Sequence, residues 1–201
     1  RGIDVAIIYS IDKLQLISSE VVKIRNPDDK YFKTRDILYA KFYDRISDTL
    51  HCFVNHWPSR YGGEKETIHL RNIAAKCLKN KIDSLNLLCN NKANIVIMGD
   101  FNDTPDAAQV SLLDGALENA CDELFRKGEG TIRYEGKWDL IDMFWVSEEI
   151  YSSSRSEILR IPFLMTREKK HPGEKPFRTY SGPRYIGGIS DHLPIVLKIS
   201  Y

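Results

Sequence analysis

Seven segments of the chain have the apolar spacing that is typical of β-strands. Some alternate apolar with polar residues and others are continuously apolar, which suits sheets that are buried on one face or on both. The predicted strands are residues 5–9, 14–24, 37–43, 50–55, 95–98, 140–146 and 195–199. Because a long helical pattern lies between two groups of strands, the chain is predicted to be a mixed α/β protein with helices packed outside sheets.

The clearest predicted helix covers residues 66–88, where apolar residues recur at steps of three and four. This spacing places the apolar residues on one face of an α-helix and leaves the opposite face to water. The predicted buried stripe is Leu70, Ile73, Ala74, Cys77, Leu78, Ile82, Leu85 and Leu88, and the solvated face carries Lys76, Lys79, Lys81 and Asp83.

A second helix is predicted to begin after Thr104. The Thr104 side chain is a typical N-cap, Pro105 suits the first helical position, and Asp106 complements the positive end of the helix dipole. The side chains of this helix that are predicted to face the core are Val110, Leu112, Leu113 and Leu117.

Regular spacing is lost between about residues 151 and 188. Within this stretch, residues 167–178 are locally basic and contain Pro172 and Pro176. A long irregular loop in a compact domain is often functional. A solvated surface loop is an equal alternative on composition alone.

Length and composition are those of an ordinary globular domain. The 201 residues suit one domain with a sizeable core, and 42% of them are apolar and 28% charged. The net charge of +1 creates no overall field that would attract polyanions. No apolar run reaches the roughly eighteen residues of a membrane span. A soluble protein is therefore predicted, and its compartment stays open.

The cysteines of the chain are Cys52, Cys77, Cys89 and Cys121, and they show neither a CxxC pair nor the Cys/His spacing of zinc sites. Cys52 lies in a predicted strand and Cys77 on a predicted helix face, so we expect buried free thiols. Cysteine usage therefore does not identify the redox compartment.

Polar residues gather at or beside the ends of four predicted strands. They are His56, the pair Asp100 and Asn102, Asp142, and the pair Asp191 and His192. Taken singly, most have a structural alternative, because a histidine before Trp-Pro is commonly structural and Asx residues commonly close turns or cap helices. Asp142 is harder to explain in this way, since a charge inside an apolar strand needs a partner.

Taken together, these residues suit the hydrolysis of a phosphate ester. A hard divalent cation is bound by carboxylate oxygens, and Mg²⁺ commonly takes one or two of them together with water and substrate. An attacking water needs a positioned base. The negative charge that develops in the transition state needs fixed donors, which histidine and asparagine supply.

The motifs HW (residues 56–57), GDFN (99–102), ID (141–142) and SDH (190–192) stand in an order that resembles the endonuclease/exonuclease/phosphatase superfamily, which includes deoxyribonuclease I. GDFN and SDH are its most specific signatures, and the resemblance covers essentially the whole chain. Three further segments resemble the RGIDVALLY-like, TRDIL-like and NHWPSR-like segments of a bacterial group, namely residues 1–9, 34–38 and 55–60.

The resemblance implies a single domain over residues 1–201 with an α/β (α+β) fold. This fold is a four-layer αββα sandwich, in which two mixed sheets lie face to face with helices outside. The family's asparagine on the first strand and its main metal-binding glutamate, on an early strand, should both precede Arg1. We therefore expect the chain to be the C-terminal two-thirds of the family domain, without the N-terminal strands.

For the first half of the site, the resemblance implies roles for three residues. Asp100 would be the base that orients or deprotonates the attacking water. Asn102 would hold a phosphate oxygen or that water. His56 would hydrogen-bond the phosphate and assist the leaving group.

For the second half, the resemblance implies that His192 contacts the scissile phosphate and is oriented by Asp142. Asp191 would be a metal ligand. Arg35 is a further candidate for phosphate contact, with packing beneath the site as its alternative.

The implied cofactor is Mg²⁺ or Mn²⁺, with its main ligands upstream of Arg1. We therefore expect weak metal binding and little hydrolysis by residues 1–201 in the absence of the upstream segment. Robust Mg²⁺-dependent hydrolysis by these 201 residues alone would contradict this expectation.

The leading functional hypothesis is a metal-dependent phosphoesterase, most like a nuclease, which takes a phosphoester substrate and needs no evident protein partner. A sphingomyelinase-like or inositol-phosphatase-like hydrolase is an alternative, since Phe177, Tyr180 and Tyr185 could contact either a base or a headgroup. A non-catalytic relative that acts as a binding module is the second hypothesis. A Ser-His-Asp triad within residues 190–192 is disfavoured, because adjacent residues in an extended segment point in opposite directions.

Overall fold

The computed structural model describes residues 4–44 and 49–200, so the first three residues of the family-like segment 1–9 lie outside the described residues. The helices are α1 (Glu64–Leu88), α2 (Asp122–Arg126) and α3 (Glu148–Tyr151). The longer strands are β1 (Gln15–Val22), β2 (Ile37–Tyr43), β3 (Thr49–His56), β4 (Asn94–Asp100), β8 (Asp142–Val146), β9 (Ser154–Ile158) and β14 (Ile195–Ile199). The short strands are β5 (Glu118–Asn119), β6 (Ile132–Tyr134), β7 (Lys137–Asp139), β10 (Met165–Arg167), β11 (Glu174–Pro176), β12 (Tyr180–Ser181) and β13 (Arg184–Tyr185).

Among the described residues, six strands form one mixed sheet in the order β1-β2-β3-β4-β8-β5. β3 and β4 are parallel, and the other neighbouring pairs are antiparallel. A parallel pair requires a long crossover connection, which α1 supplies. The carboxyl ends of β3 and β4 therefore lie beside the start of β8, at one end of the central strands of the sheet.

The main core lies between α1 and the sheet. Ala74, Leu78 and Ile82 of α1 are fully buried and belong to one cluster with Phe53 and Ile95. Burying a side chain such as Leu78 or Ile82 stabilises the fold by about 1.5–3 kcal/mol. The predicted helix is thus confirmed, and it begins two residues earlier than expected, at Glu64.

Leu88 and Arg71 are two positions of α1 that depart clearly from the predicted stripe. Leu88 is 82% exposed, because it is the last residue of the helix, just before the chain turns through the positive-φ residues Asn90 and Asn91. Arg71 is instead fully buried on the core side. No helix in the described part of the chain has the length and apolarity needed to cross a bilayer.

A second sheet pairs β9 with β14 in antiparallel register. Its Ile158, Ile195 and Leu197 are half-buried and pack against the main core. The fold is therefore a mixed α/β architecture with a multistranded mixed sheet, few helices and a smaller sheet against it, which confirms the predicted fold class. Strands 37–43 and 195–199 have the predicted bounds, and four others are shifted by one or two residues at their ends.

The predicted strand over residues 5–9 is wrong as a paired strand, because no strand of the described residues lies alongside it. The alternation itself is present, since Val5, Ile7 and Tyr9 are half-buried while Ile8 is fully exposed. Ile7 and Tyr9 pack against a small cluster that contains Phe42.

The helix predicted after Thr104 is also wrong. The chain forms turns and a 3₁₀ segment, Ser111–Leu113, with hydrogen bonds from the amide of Ala107 to the Thr104 carbonyl and from Val110 to the Ala107 carbonyl. Val110, Leu113 and Leu117 are buried as expected, whereas Leu112 is 36% exposed. Apolar burial was therefore predicted correctly, but tertiary contacts decide the backbone conformation.

The stretch between residues 151 and 188 is more regular than predicted, because it contains β9 and two consecutive hairpins. One hairpin pairs β10 with β11 and the other pairs β12 with β13. Their strands are only two or three residues long, which is too short for an apolar period to be recognised.

The cysteines are free thiols, and Cys52 and Cys121 are buried. Burial raises the pKa of Cys52 to about 12 and also raises that of Cys121. The prediction of buried free thiols is confirmed for these two residues, while Cys77 and Cys89 are partly exposed.

Candidate active site

Three polar side chains meet where β3, β4 and β8 come together. His56 is the last residue of β3 and is in register with Asp100, the last residue of β4. Asp100 is in turn in register with Asp142, the first residue of β8. Residues in register on neighbouring strands point to the same face of a sheet. The sheet therefore brings together three of the predicted site residues.

The backbone ladder continues past the ends of these strands. The amide of Trp57 donates to the carbonyl of Asp100 at 2.9 Å, and the amide of Phe101 donates to the carbonyl of Ile141 at 2.8 Å. The fully buried rings of Trp57 and Phe101 pack edge to face, with centroids 4.8 Å apart. Rigid backbone therefore supports both sides of Asp100.

His192 reaches the same place from the far end of the chain. It forms an isolated bridge with Ile132, and the amide of Leu193 donates to the carbonyl of Thr131 at 2.8 Å. His192 Nδ1 lies 2.8 Å from Asp142 Oδ2. The structure thus brings His192 and Asp142 into contact, and the orienting role of Asp142 stays a prediction.

Asn102 holds the carboxylate of Asp100. Its backbone amide donates to Asp100 Oδ1 at 2.8 Å, and its side-chain Nδ2 donates to Asp100 Oδ2 at 3.2 Å and to the Trp57 carbonyl at 2.9 Å. His56 Nε2 lies 3.4 Å from the same Asp100 Oδ2. Asn102 has a φ of 51°, a left-handed conformation in which Asn is enriched among non-glycine residues.

Thr131 belongs to the site although its sequence context gave no sign of it. Its hydroxyl donates to Asp142 Oδ2 at 2.6 Å, and the residue is fully buried. Its carbonyl also accepts a hydrogen bond from the amide of Leu193. One threonine therefore fixes both Asp142 and the segment that carries His192. Only a structure could reveal this role, because Thr131 and Asp142 are joined across two short strands.

Arg35 and Asp191 lie at the margin of the cluster. Arg35 donates to the carbonyls of His56 and Trp57 at 2.9 and 2.8 Å, which is the arrangement expected for packing beneath the site. The Asp191 side chain is 54% exposed and lies 3.7 Å from the guanidinium of Arg178.

The environment shifts the pKa values of three site residues apart. Burial raises the pKa of Asp100 to about 6, with a further contribution from the charge of Asp142. Burial lowers the pKa of His56 to about 4, and the positive charges of Arg35 and His192 act in the same direction. At neutral pH the contact between His56 and Asp100 is therefore not an ion pair.

His192 has the opposite shift. Burial disfavours its charged form, but the hydrogen bond to Asp142 and the negative charges of Asp142 and Asp100 outweigh burial and raise the pKa of His192 to about 9. The site thus places a carboxylate, a neutral imidazole and a charged imidazolium side by side. Groups with pKa values that are pushed apart in this way are typical of acid–base sites.

Gly99 is required by the close approach of β3 to β4. Its φ is +131°, and a Cβ atom at this position would lie 2.0 Å from the backbone oxygen of Asn55. We expect Gly99→Ala to lower the free energy of unfolding by about 3 kcal/mol, since backbone strain and overpacking each cost about 1–3 kcal/mol. Urea denaturation measures this loss.

Gly115→Ala is the matched control for Gly99→Ala. Gly115 also has a positive φ, +74°, but an added Cβ there meets no atom within 4 Å. Gly115→Ala should therefore lower the free energy of unfolding only by the cost of a left-handed backbone conformation, about 1–2 kcal/mol. Equal losses for the two variants would contradict the clash with Asn55.

The whole chain, residues 1–201, matches the model of the Endonuclease/Exonuclease/phosphatase family. The chain belongs to this family. Members of the endonuclease/exonuclease/phosphatase family are hydrolytic phosphoesterases, which agrees with the chemistry of the assembled residues. A search of the curated proteins gives no match to the sequence.

Solved structures of family proteins have the same fold at low sequence identity. Mannosyl-6-phosphatase from Bacteroides thetaiotaomicron is 15% identical with a TM-score of 0.58, over 96% of this chain and 69% of its own. Truncated Caenorhabditis elegans TDP2 is 13% identical with a TM-score of 0.58, over 92% and 66%. The human nocturnin catalytic domain with bound sulfate is 16% identical with a TM-score of 0.53, over 74% and 52%. The chain thus spans between about half and two-thirds of these proteins.

Enzymes of this family generally depend on a divalent metal ion, and the described residues offer a group that suits one. Ligand atoms of Asp100, Asp142 and His192 all lie within 4.8 Å of one another. Two carboxylates are within the number that Mg²⁺ commonly takes from a protein. Asp191, the ligand implied by the sequence resemblance, is not part of this described group.

Proposed function

We propose that the full-length protein hydrolyses a phosphoester by in-line attack of a water molecule that Asp100 orients and deprotonates. The observation that carries the proposal is the double hydrogen bond from Asn102 to the Asp100 carboxylate, at 2.8 and 3.2 Å, at the point where His56 and His192 also converge. A fixed carboxylate beside two imidazoles supplies a positioned base and donors for the phosphate oxygens.

The two histidines are proposed to serve opposite sides of the reacting phosphate. Asp142 holds Nδ1 of His192, so the other ring nitrogen, Nε2, is the atom that donates to a phosphate oxygen. His56 lies beside Asp100 and donates to the phosphate or the leaving oxygen. Arg35 is proposed to support the end of β3, because its bonds to the carbonyls of His56 and Trp57 orient it beneath the site.

A divalent ion, proposed to be Mg²⁺ or Mn²⁺, would neutralise negative charge on the phosphate oxygens when bound. From this chain, the carboxylates of Asp100 and Asp142 are the proposed ligands, and Asp191, whose carboxylate lies 3.7 Å from Arg178, is a further candidate.

A nucleic acid is the proposed substrate class, and the hairpin region of residues 165–185 supports it. This region carries six basic and two acidic side chains, a net charge of +4 in a chain whose total is +1. Tyr180 and Tyr185 are 56% and 65% exposed, and their rings form an edge-to-face pair. The region is joined to the site because the amides of Ile189 and Ser190 donate to the carbonyl of Phe177. Positive charge beside exposed aromatic rings is typical of single-strand binding.

Turnover by the full-length protein tests the reaction. The substrates are bis(p-nitrophenyl) phosphate, a single-stranded oligonucleotide, plasmid DNA, sphingomyelin and mannose 6-phosphate, each with Mg²⁺, with Mn²⁺ and with EDTA. We expect hydrolysis of the diester and the oligonucleotide that EDTA abolishes. Hydrolysis of sphingomyelin or the sugar phosphate alone would contradict the nucleic-acid substrate, and no turnover of any substrate would contradict the enzyme.

Oligonucleotide binding tests the hairpin region separately from turnover. Lys169 and Lys170 are exposed between β10 and β11, so the double variant Lys169→Glu/Lys170→Glu should weaken binding by about tenfold or more at low salt and reduce its salt dependence. The matched control is Lys65→Glu/Lys76→Glu on the exposed face of α1. Equal loss in both double variants would show that the hairpin region has no specific role.

A further inference from the structure

The carboxylate of Asp103 directly follows the GDFN motif, and the proposed reaction gives it no role. It is buried, with 2% of the residue exposed. A carboxylate taken out of water needs charged or hydrogen-bonding partners, since burying it alone is very unfavourable. Its partners therefore indicate what it does.

One partner comes from the middle of α1. Arg71 is fully buried, and its Nε donates to Asp103 Oδ2 at 2.6 Å. The rest of the guanidinium is bonded to Thr67 Oγ1 at 2.9 Å and to the Glu64 carbonyl at 3.2 Å. The side chain of Gln109 also donates to Asp103 Oδ2. Asp103 is thereby fixed to the first turns of α1.

The other partner is Arg60, which lies at the rim of the site with its side chain 29% exposed. Its Nη2 donates to Asp103 Oδ1 at 2.9 Å. Its Nε donates at 2.9 Å to the backbone carbonyl of Asn102. A second terminal nitrogen lies 3.7 Å from Asp139, in the strand that precedes Asp142.

Arg60 therefore fixes Asn102, and Asn102 in turn fixes the carboxylate of Asp100, the proposed base. The carbonyl of Asn102 accepts from Arg60, while the amide and side chain of Asn102 donate to Asp100. Asn102 keeps a φ of 51°, and such conformations persist only where the surroundings over-determine them. Without the guanidinium, Asn102 can relax to an ordinary conformation and withdraw its donors from Asp100.

We propose that Arg60, braced by the buried Asp103–Arg71 pair, is a positioning residue that fixes Asn102 and through it the carboxylate of Asp100. The expected effect of Arg60 on turnover rests on the proposed function. Its expected effect on the conformation of Asn102 does not.

The test compares Arg60→Gln, Arg60→Lys and the control Arg126→Gln in two measurements. Arg126 resembles Arg60 in that it forms an ion pair, with Asp122. It differs in that it lies on α2 with 69% of its side chain exposed. The first measurement is kcat and KM for bis(p-nitrophenyl) phosphate in the full-length protein. The second is the pair of side-chain NH₂ resonances of Asn102 in ¹⁵N-labelled protein, assigned by their loss in Asn102→Asp.

We expect Arg60→Gln to lower kcat by about 10–100-fold, because small misplacements of a catalytic group have effects of this size, with KM changed by less than about twofold. Both Asn102 resonances should move further than they do in Arg126→Gln. Arg60→Lys should recover little, since a lysine ammonium keeps the charge but lacks the planar fork that reaches two acceptors.

Rates are referred to the folded fraction, which a urea titration of each variant gives. A role in stability alone would lower that fraction and leave the corrected kcat and the Asn102 resonances at wild-type values, and this result would overturn the proposal. Full recovery by Arg60→Lys would overturn it as well. If the wild-type protein gives no turnover, the proposed function fails, and the Asn102 resonances still decide whether Arg60 positions that residue.

Discussion

Asp100→Ala and His192→Ala should each reduce turnover by the full-length protein by at least about 10²-fold, and up to about 10⁴-fold. General acid–base groups contribute rate factors of this size. Asp100→Ala removes the proposed base, the carboxylate to which Asn102 donates two hydrogen bonds. His192 is held by Asp142 at 2.8 Å, so its removal also leaves that carboxylate without its imidazole partner. Steady-state kinetics with bis(p-nitrophenyl) phosphate measure both losses.

Asp106→Ala and His69→Ala are the matched controls. Both residues are exposed, Asp106 after the GDFN motif and His69 on α1. Their kcat values should stay within about twofold of wild type, because exposed side chains away from a site rarely change it. Survival of the wild-type rate in either Asp100→Ala or His192→Ala would refute the catalytic assignment and favour a non-catalytic binding module.

Arg71→Ala should lower the free energy of unfolding by about 3–5 kcal/mol, the range found when one partner of a buried ion pair is removed. Arg71 is fully buried and donates to Asp103 at 2.6 Å. The variant leaves the Asp103 carboxylate in the interior with only Arg60 and Gln109 as partners. Urea denaturation with linear extrapolation measures the change.

Two further variants separate the buried charge from the loss of packing. Arg71→Met/Asp103→Leu removes both charges and should recover most of the stability, because apolar replacement of a whole buried pair is often neutral. Arg126→Ala removes an exposed ion pair on α2 and should cost no more than about 1 kcal/mol. A loss of less than about 1 kcal/mol in Arg71→Ala would contradict the structural role of the pair.

The long elements could be predicted from the sequence because their signals are local. An apolar stripe over about five helical turns identifies α1, and continuous apolar runs identify β3, β4 and β8. The turn segment after Thr104 was mistaken for a helix, since its cap and apolar residues are equally compatible with both structures. Its backbone follows the burial of Asp103 and Gln109 against Arg71, which acts over more than thirty residues of sequence.

The candidate site was predictable to the extent that short motifs carry it. The structure brings His56, Asp100, Asn102, Asp142 and His192 together as the motif order implied, and it adds Thr131 and Arg60. Arg71 did leave a trace, because it lies three and four residues before Ala74 and Ala75 on the buried side of α1. A charged residue on an apolar stripe indicates a buried partner, but the spacing cannot say that the partner is Asp103.

The bond between Asp142 and His192 spans 50 residues, and this separation has a kinetic consequence. Closing a longer loop costs more chain entropy, and proteins dominated by non-local contacts fold more slowly. The hydrogen bonds of α1 join residues close in sequence, whereas His192 is placed beside Asp142 by its bridge to Ile132 and by the bond from the Leu193 amide to the Thr131 carbonyl, which join distant parts of the chain. We therefore expect the contact between His192 and Asp142 to form late in folding, after most of the secondary structure is in place.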